Sequence, residues 1–155
     1  MAKSSPNDQT ICRNKKASHK FEILEKIECG IVLVGSEVKS LRERHGSLEE
    51  SYARIEDGEL WLINFHISTY KYATTKTHEP TRRRKLLIQG KQLRKIEPKL
   101  RQKGLTLVPL KAYFSDRGMV KIMIAIGRGK SLADKRESLK ERDAKREMDA
   151  ARRRR

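Results

Sequence analysis

Four histidines (His19, His45, His66 and His78), two cysteines (Cys12 and Cys29) and the acidic residues Glu28, Glu37 and Asp116 are the side chains here that could hold a metal or move a proton. A zinc or general-base site draws on ligands at recurrent short spacings, and these histidines follow none of them. Cys12 and Cys29 form no CxxC pair, so they read as two reduced thiols rather than a disulfide framework or a zinc knuckle. The strings GxxxxGK[ST], GxGxxG and HExxH do not occur, which removes the usual handles for nucleotide hydrolysis and zincin chemistry. The residues therefore call for no metal and no cofactor. A small metal-dependent nuclease assembled from scattered histidines and acids stays open as a reading of a different class, and it predicts RNA cleavage that needs a divalent ion.

The chemistry present in quantity is cationic. Among 155 residues, 37 are Lys or Arg and 20 are Asp or Glu, a formal net charge of +17. The cations cluster at Arg13 to Lys20, Arg82 to Lys85, Arg94 to Lys103, Lys121 to Lys130 and along the C-terminal tail. Phosphate is the natural counter-charge, and each phosphate neutralised releases counterions, so such binding weakens as salt rises. No helix-turn-helix or zinc-finger pattern offers a reader of the DNA major groove, which favours RNA. A membrane surface fits less well: no run approaches the ~18 apolar residues of a span, and no segment pairs a basic face with a wide apolar one. Met1 to Ser18 also lacks the apolar centre of a secretory signal, so the chain reads as soluble and cytoplasmic. A generic basic RNA-binding or ribosome-associated protein satisfies all of this.

These cations must be presented by folded elements, and the aromatic residues mark where folding ends. All eight lie between Phe21 and Phe114, and the last apolar alternation stops near Ile126. The sequence thus divides into a leader, 1–12, expected to lack fixed structure, a barrel, 13–127, and a basic tail, 128–155. The tail carries twelve basic and six acidic residues but only Leu132, Leu139 and Met148 as large apolar ones. That stripe is too narrow to hold a helix on a core, so the tail is expected to be disordered alone and helical on a partner.

Asp57-Gly58 sits between two β-prone runs, Ser51 to Glu56 and Glu59 to Ile63, and supplies the positive φ angles of a two-residue hairpin. Leu105 to Phe114 and Met119 to Ile126 predict a second hairpin across Ser115 to Gly118, with Val120, Ile122, Ile124 and Ile126 on one face and Lys121, Met123 and Ala125 on the other. Phe21 to Glu28 and Ile31 to Leu41 read as strands around a bend at Cys29-Gly30. Lys91 to Lys103 predicts a helix through Leu93, Ile96 and Leu100, stopped by Gly104 and shortened by Pro98. The sum is a mainly β chain with short helices, an antiparallel barrel of the oligonucleotide-binding (OB) type.

Several strings together resemble one family, the SsrA-binding proteins (small protein B). They are Asn14-Lys15-Lys16-Ala17, Cys29-Gly30-Ile31, Gly35-Ser36-Glu37-Val38-Lys39-Ser40-Leu41-Arg42, Pro80-Thr81-Arg82-Arg83-Arg84-Lys85-Leu86-Leu87, Gly104 to Leu110, Gly127 to Lys130 and Asp134-Lys135-Arg136. Each is short, but their order across residues 13–146 is specific. The resemblance implies an adaptor, not an enzyme. It would be a monomer that binds the tRNA-like domain of tmRNA and delivers it to a stalled ribosome, so that the nascent chain is tagged for degradation. The basic tail would enter the empty mRNA path and the decoding centre of the small subunit. It also implies RNA-binding residues Asn14, His19, Glu28, Leu87 and Lys121, and a ribosome-facing set Gly129, Lys130, Asp134, Lys135 and Arg136. Two positions depart from the family pattern: Cys29 stands where alanine is common, and Ala133 stands where histidine often precedes Asp-Lys-Arg and cannot stack on a base.

Overall fold

In chain order the elements are β1 (Thr10–Arg13), α1 (Ala17–Lys20), β2 (Phe21–Ile31), α2 (Gly35–Arg42), β3 (Gly46–Ser47), β4 (Tyr52–Glu56), β5 (Glu59–Ile63), β6 (His66–Ile67), β7 (Arg84–Leu87), α3 (Gly90–Leu100), β8 (Leu105–Phe114), β9 (Val120–Gly129) and α4 (Leu132–Arg153). This computed structural model describes residues 9–72, 77–130 and 132–153, without the side chains of residues 132–135, 137 and 138.

Both expected hairpins form. In the β4–β5 turn Asp57 and Gly58 have φ of 50° and 75°, the left-handed pair that matches strand twist. In the β8–β9 turn Gly118 has φ of 78°, and the Ser115 N–H donates to the Met119 carbonyl at 2.8 Å. From these hairpins the sheet closes: β8 pairs with β4, β4 with β5, β5 with β7, β7 with β2, β2 with β9 and β9 again with β8, all antiparallel. Six strands thus form a ring, and closure satisfies the backbone groups that an open edge would leave unpaired. β1 adds to β8 beyond its single pairing with β4.

The interior follows the expected alternation. Ile122, Ile124 and Ile126 of β9 are buried with Leu60 and Leu62 of β5, Leu86 of β7 and Leu107 of β8. Each such side chain contributes about 1.5–3 kcal/mol relative to an exposed one. Ala125 is buried as well, on the opposite face of β9. α3 lays Ile96 into the core with Leu93 and Leu100 packed beside it, and it stops at Leu100, two residues after Pro98.

Three boundaries differ from expectation. Residues 1–8 of the expected leader lie outside the described residues, but Thr10 to Cys12 pair with Tyr113 and Ala112 in β1, where Ile11 is buried against the core. β9 runs on to Gly129, pairing Arg128 with Leu105 and Gly129 with Phe21, so the barrel extends past 127. The run Ile31 to Leu41 is not a continuous strand, because Gly35–Arg42 is the helix α2. Gly35-Ser36 interrupts the alternation, and the Glu37 carboxylate accepts the Val34 N–H at 2.9 Å, satisfying one of the donors that open a helix.

That same carboxylate is fully buried and takes two arginines, Arg82 just before β7 and Arg84 at its first position. Arg82 Nη2 lies 2.5 Å from Glu37 Oε1, and Arg84 Nε donates to Oε2. Arg84, also fully buried, donates from Nη1 to the Phe65 carbonyl at 2.5 Å and from Nη2 to the Pro80 carbonyl at 3.2 Å. A buried charge is tolerable when it is paired and each of its nitrogens is hydrogen-bonded in this way. Burial pushes the Glu37 carboxyl pKa up, but the Val34 N–H, Arg82 and Arg84 together hold it below the usual range.

Candidate nucleic-acid interface

The bend expected at Gly30 is a meeting point of strands. Gly30 pairs with Leu87 of β7 on one side and Lys121 of β9 on the other, and Lys121 pairs with Tyr113 of β8. Leu87, Gly30, Lys121 and Tyr113 therefore form one row across the outer surface of four strands. A side chain at Gly30 would bring a Cβ to 3.3 Å from Leu87 Cβ, so glycine lets Leu87 lean over the row. Leu87 is 50% exposed and Met119 59%, an apolar rim to an open groove floored by Ile31, Leu33 and Val120 and bordered by Lys121.

The next row places Glu28, Met123 and Lys111 side by side, and the one after it Lys26, Ala125 and Val108. Glu28 is exposed and accepts a hydrogen bond from the Tyr113 hydroxyl. Beyond it Arg13, Lys15, Lys26 and Lys111 surround a second groove that also touches Asn14, Ser18 and Met123 and, among the described residues, has no acidic side chain in its wall. Four cations around one concavity suit a phosphate-bearing chain.

Of the five residues assigned to RNA by resemblance, Glu28, Leu87 and Lys121 thus share one face. Asn14 and His19 lie beside it, in and after the β1–α1 turn. The Asn14 N–H donates to the Leu110 carbonyl at 2.7 Å and its Nδ2 to the Pro109 carbonyl at 3.0 Å, pinning the turn to an irregularity in β8 between Pro109 and Lys111. Asn14 Oδ1 and His19 Nδ1 are buried without a hydrogen-bond partner.

The tail set continues directly from the barrel. Gly129 ends β9, and Lys130 folds back onto α1, its N–H meeting the Lys20 carbonyl at 3.0 Å and its Nζ the Ser18 carbonyl at 2.8 Å. Asp134, Lys135 and Arg136 fall in the first turns of α4, with Arg136 exposed. At about 1.5 Å per residue, the 22 residues of α4 span about 33 Å. Arg142 touches the Lys15 carbonyl and Ser18 Oγ at 3.4 Å, while Leu139 and Met148 stay exposed.

The histidines are dispersed. His78 is buried, its Nε2–H donating to the Ile67 carbonyl and its Nδ1 sharing a hydrogen bond with Ser36 Oγ, each at 2.9 Å. Both ring nitrogens are engaged by protein groups, so this ring is a clip between α2 and β6 rather than a ligand. His45 and His66 are exposed and apart from it, and among the described residues no three His, Cys, Asp or Glu side chains converge on a metal position. No helix among them is long and apolar enough to cross a membrane.

Sequence reasoning had singled out Lys121 and Glu28 but missed Lys26, Lys111 and Tyr113. Strand periodicity carries the signal for all three: Lys26 stands two residues from Glu28, and Lys111 two from Tyr113, so each pair shares a face.

Residues 11–154 match the family model described as SmpB protein. The SsrA-binding protein of Mesorhizobium japonicum is 48% identical over 145 residues, covering 94% of this chain and 91% of the relative. That of Syntrophobacter fumaroxidans is 48% identical over 159 residues, covering 100% and 98%. A chain in the solved structure "tmRNA-SmpB: a journey to the center of the bacterial ribosome" superposes with a TM-score of 0.66 at 45% identity, covering 83% of this chain and 93% of that one. With a family match over nearly the whole sequence and relatives close to half identical across at least nine-tenths of it, this chain belongs to the SmpB protein family.

Proposed function

We propose that this protein is a tmRNA-binding adaptor of ribosome rescue, a cytoplasmic binding protein without a catalysed reaction of its own. Its barrel grips the tRNA-like domain of tmRNA and brings it to ribosomes stalled on a message without a stop codon. The observation that carries the reading is the outer face of β7, β2, β9 and β8, where Leu87, Lys121 and Glu28 stand together beside a wall of Arg13, Lys15, Lys26 and Lys111. Cations supply salt-sensitive affinity for the RNA backbone, and the apolar and acidic positions between them give contacts that phosphate alone cannot use. Asn14 shapes the adjoining turn, and His19 offers its ring beside it.

The tail has the separate task of entering the empty mRNA path and decoding centre of the small subunit. α4 supports this division because it carries basic residues along about 33 Å while its Leu139 and Met148 stay exposed rather than anchored on the barrel. We assign Gly129, Lys130, Asp134, Lys135 and Arg136 to the junction that orients it, and the helix α4 to a segment whose position becomes fixed only against ribosomal RNA.

The test separates the two tasks. A chain truncated after Lys130 keeps all of β9 and is expected to bind the tRNA-like domain within about threefold of the full chain, while tagging of nascent chains on stalled ribosomes is lost. Loss of both together would overturn the division, and tagging that survives truncation would overturn the role of the tail.

A further inference from the structure

Glu28 is the exception on a face built from cations. A carboxylate between Lys26, Lys121 and Lys111 lowers attraction for phosphate, so it has to do something that phosphate binding does not require. Its orientation is held from two strands away. Tyr113 lies on β8 and Glu28 on β2, with β9 between them, so the phenol bridges about 10 Å of sheet to donate its O–H to Glu28 Oε2. The register puts Lys121 directly opposite Tyr113 and Met123 directly opposite Glu28, so the ring crosses β9 between these two positions. Lys111 stands on the same strand with its ammonium 5.1 Å from the ring centroid. The phenol is therefore gripped at its face by a cation and at its tip by a carboxylate. Burial pushes the Tyr113 phenol pKa up, and the hydrogen bond to Glu28 and the charge of that carboxylate push it further, so the hydroxyl remains a donor throughout the physiological range.

We propose that Tyr113 is a positioning residue for RNA recognition: by holding Oε2 of Glu28 it aims the other oxygen, Oε1, at an N–H or O–H donor of an unpaired nucleotide. This rests on the RNA-binding reading above and deepens it. A carboxylate cannot accept from phosphate, so its oxygen contributes only where the RNA presents a base amino or imino group or a ribose hydroxyl. The lysines and arginines set how tightly any RNA is held, while the Tyr113–Glu28 pair sets which RNA is preferred. Without the tyrosine the carboxylate swings toward neighbouring ammonium groups, and selectivity falls while the charge of the face is unchanged.

The experiment uses the full chain with the variants Y113F, E28A and the double substitution. Affinity is measured for the tRNA-like domain of tmRNA and for bulk tRNA over a range of salt concentrations. Y113F is expected to weaken binding of the tRNA-like domain roughly tenfold, leaving the slope of log affinity against log salt and the affinity for bulk tRNA as they were. In the E28A background it should add less than twofold, the signature of two residues acting as one unit. E28Q, which keeps an acceptor for Tyr113 but turns a donor toward the RNA, should lose the same selectivity and serves should Y113F fold poorly. A 2′-deoxy copy of the same RNA tells the donors apart: the Y113F effect persists on it if the donor is a base and vanishes if it is a ribose hydroxyl. Y113F binding both RNAs as the unsubstituted chain does, weakening both equally, or adding its full effect to E28A would overturn the proposal. If the unsubstituted chain shows no preference for the tRNA-like domain, the RNA-adaptor reading itself fails and this assignment falls with it.

Discussion

Glu37 and Arg84 show how a single carboxylate decides local structure. Both are fully buried: removing Glu37 leaves Arg84 charged in the interior without a counter-charge, and removing Arg84 leaves the buried carboxylate with Arg82 alone. Either Glu37→Gln or Arg84→Met alone should cost about 3–5 kcal/mol, while the double replacement should recover part of the loss. Urea denaturation midpoints of the four proteins check this. The pair also sets an acid limit. Because the folded carboxyl titrates below its unfolded value, its contribution is complete above about pH 4.3 and is lost as the pH falls through the depressed folded pKa. Stability followed from pH 6 to pH 2 should drop less steeply in Glu37→Gln. The thiols are simpler. Burial pushes Cys29 up to about 12, with Glu28 adding and Lys121 opposing, and burial pushes Cys12 up to about 11 against a hydrogen bond from the backbone at Ala112. Neither forms much thiolate at pH 8, so both should react with a thiol reagent at least tenfold more slowly in the native protein than in denaturant. The sequence spacing already marked these cysteines as ordinary thiols. It could not assign Glu37, because its arginine partners stand 45 and 47 residues away, a separation that no local pattern encodes.

At the scale of elements, short-range chemistry was the legible part. Asp57-Gly58 and Ser115 to Gly118 carry their turn geometry in the residues themselves, and the β9 alternation named the inward side chains correctly. α2 was misread as strand because the apolar run Ile31 to Val34 that precedes it reads as strand, although Val34, Val38 and Leu41 follow the helical spacing i, i+4 and i+7. The limits of β9 were missed for a related reason: Gly127 and Gly129 look like an exit from structure, yet Gly127 allows a close approach of Phe21. A methyl at Gly127 would place its carbon 3.0 Å from Phe21 Cβ, an atom rooted in the backbone rather than at the end of a flexible chain. Gly127→Ala should therefore cost about 1–3 kcal/mol, whereas Gly129→Ala, which meets nothing within 4 Å, should cost less than about 1 kcal/mol. Thermal melting of the two variants decides this.

Over the whole molecule, a net charge of +17 divides between a closed barrel and a projecting helix. The end of the aromatic residues and of the apolar alternation near Ile126 pointed to that division, but not to how the two parts meet. Lys130 and Arg142 contact the Ser18 region of α1, so the tail starts from the same corner as the turn that Asn14 pins. Nor could composition say which cations cooperate, since Lys26 and Lys111 are isolated in sequence and converge with Arg13 and Lys15 only through strand register. Charge reversal at both, Lys26→Glu with Lys111→Glu, should weaken RNA binding at least tenfold and lower the magnitude of the salt slope by about two. The same reversal at Arg94 and Lys95 on α3, away from that groove, should leave the slope nearly unchanged.

The central claim is that the barrel recognises one RNA fold beyond its phosphates. It is tested by competing labelled tRNA-like domain of tmRNA against excess bulk tRNA at two salt concentrations. The account predicts that tRNA fails to displace the labelled RNA at the higher salt, where phosphate attraction has weakened and base and sugar contacts remain. Full displacement there would contradict it and leave a basic protein that binds RNA by charge alone.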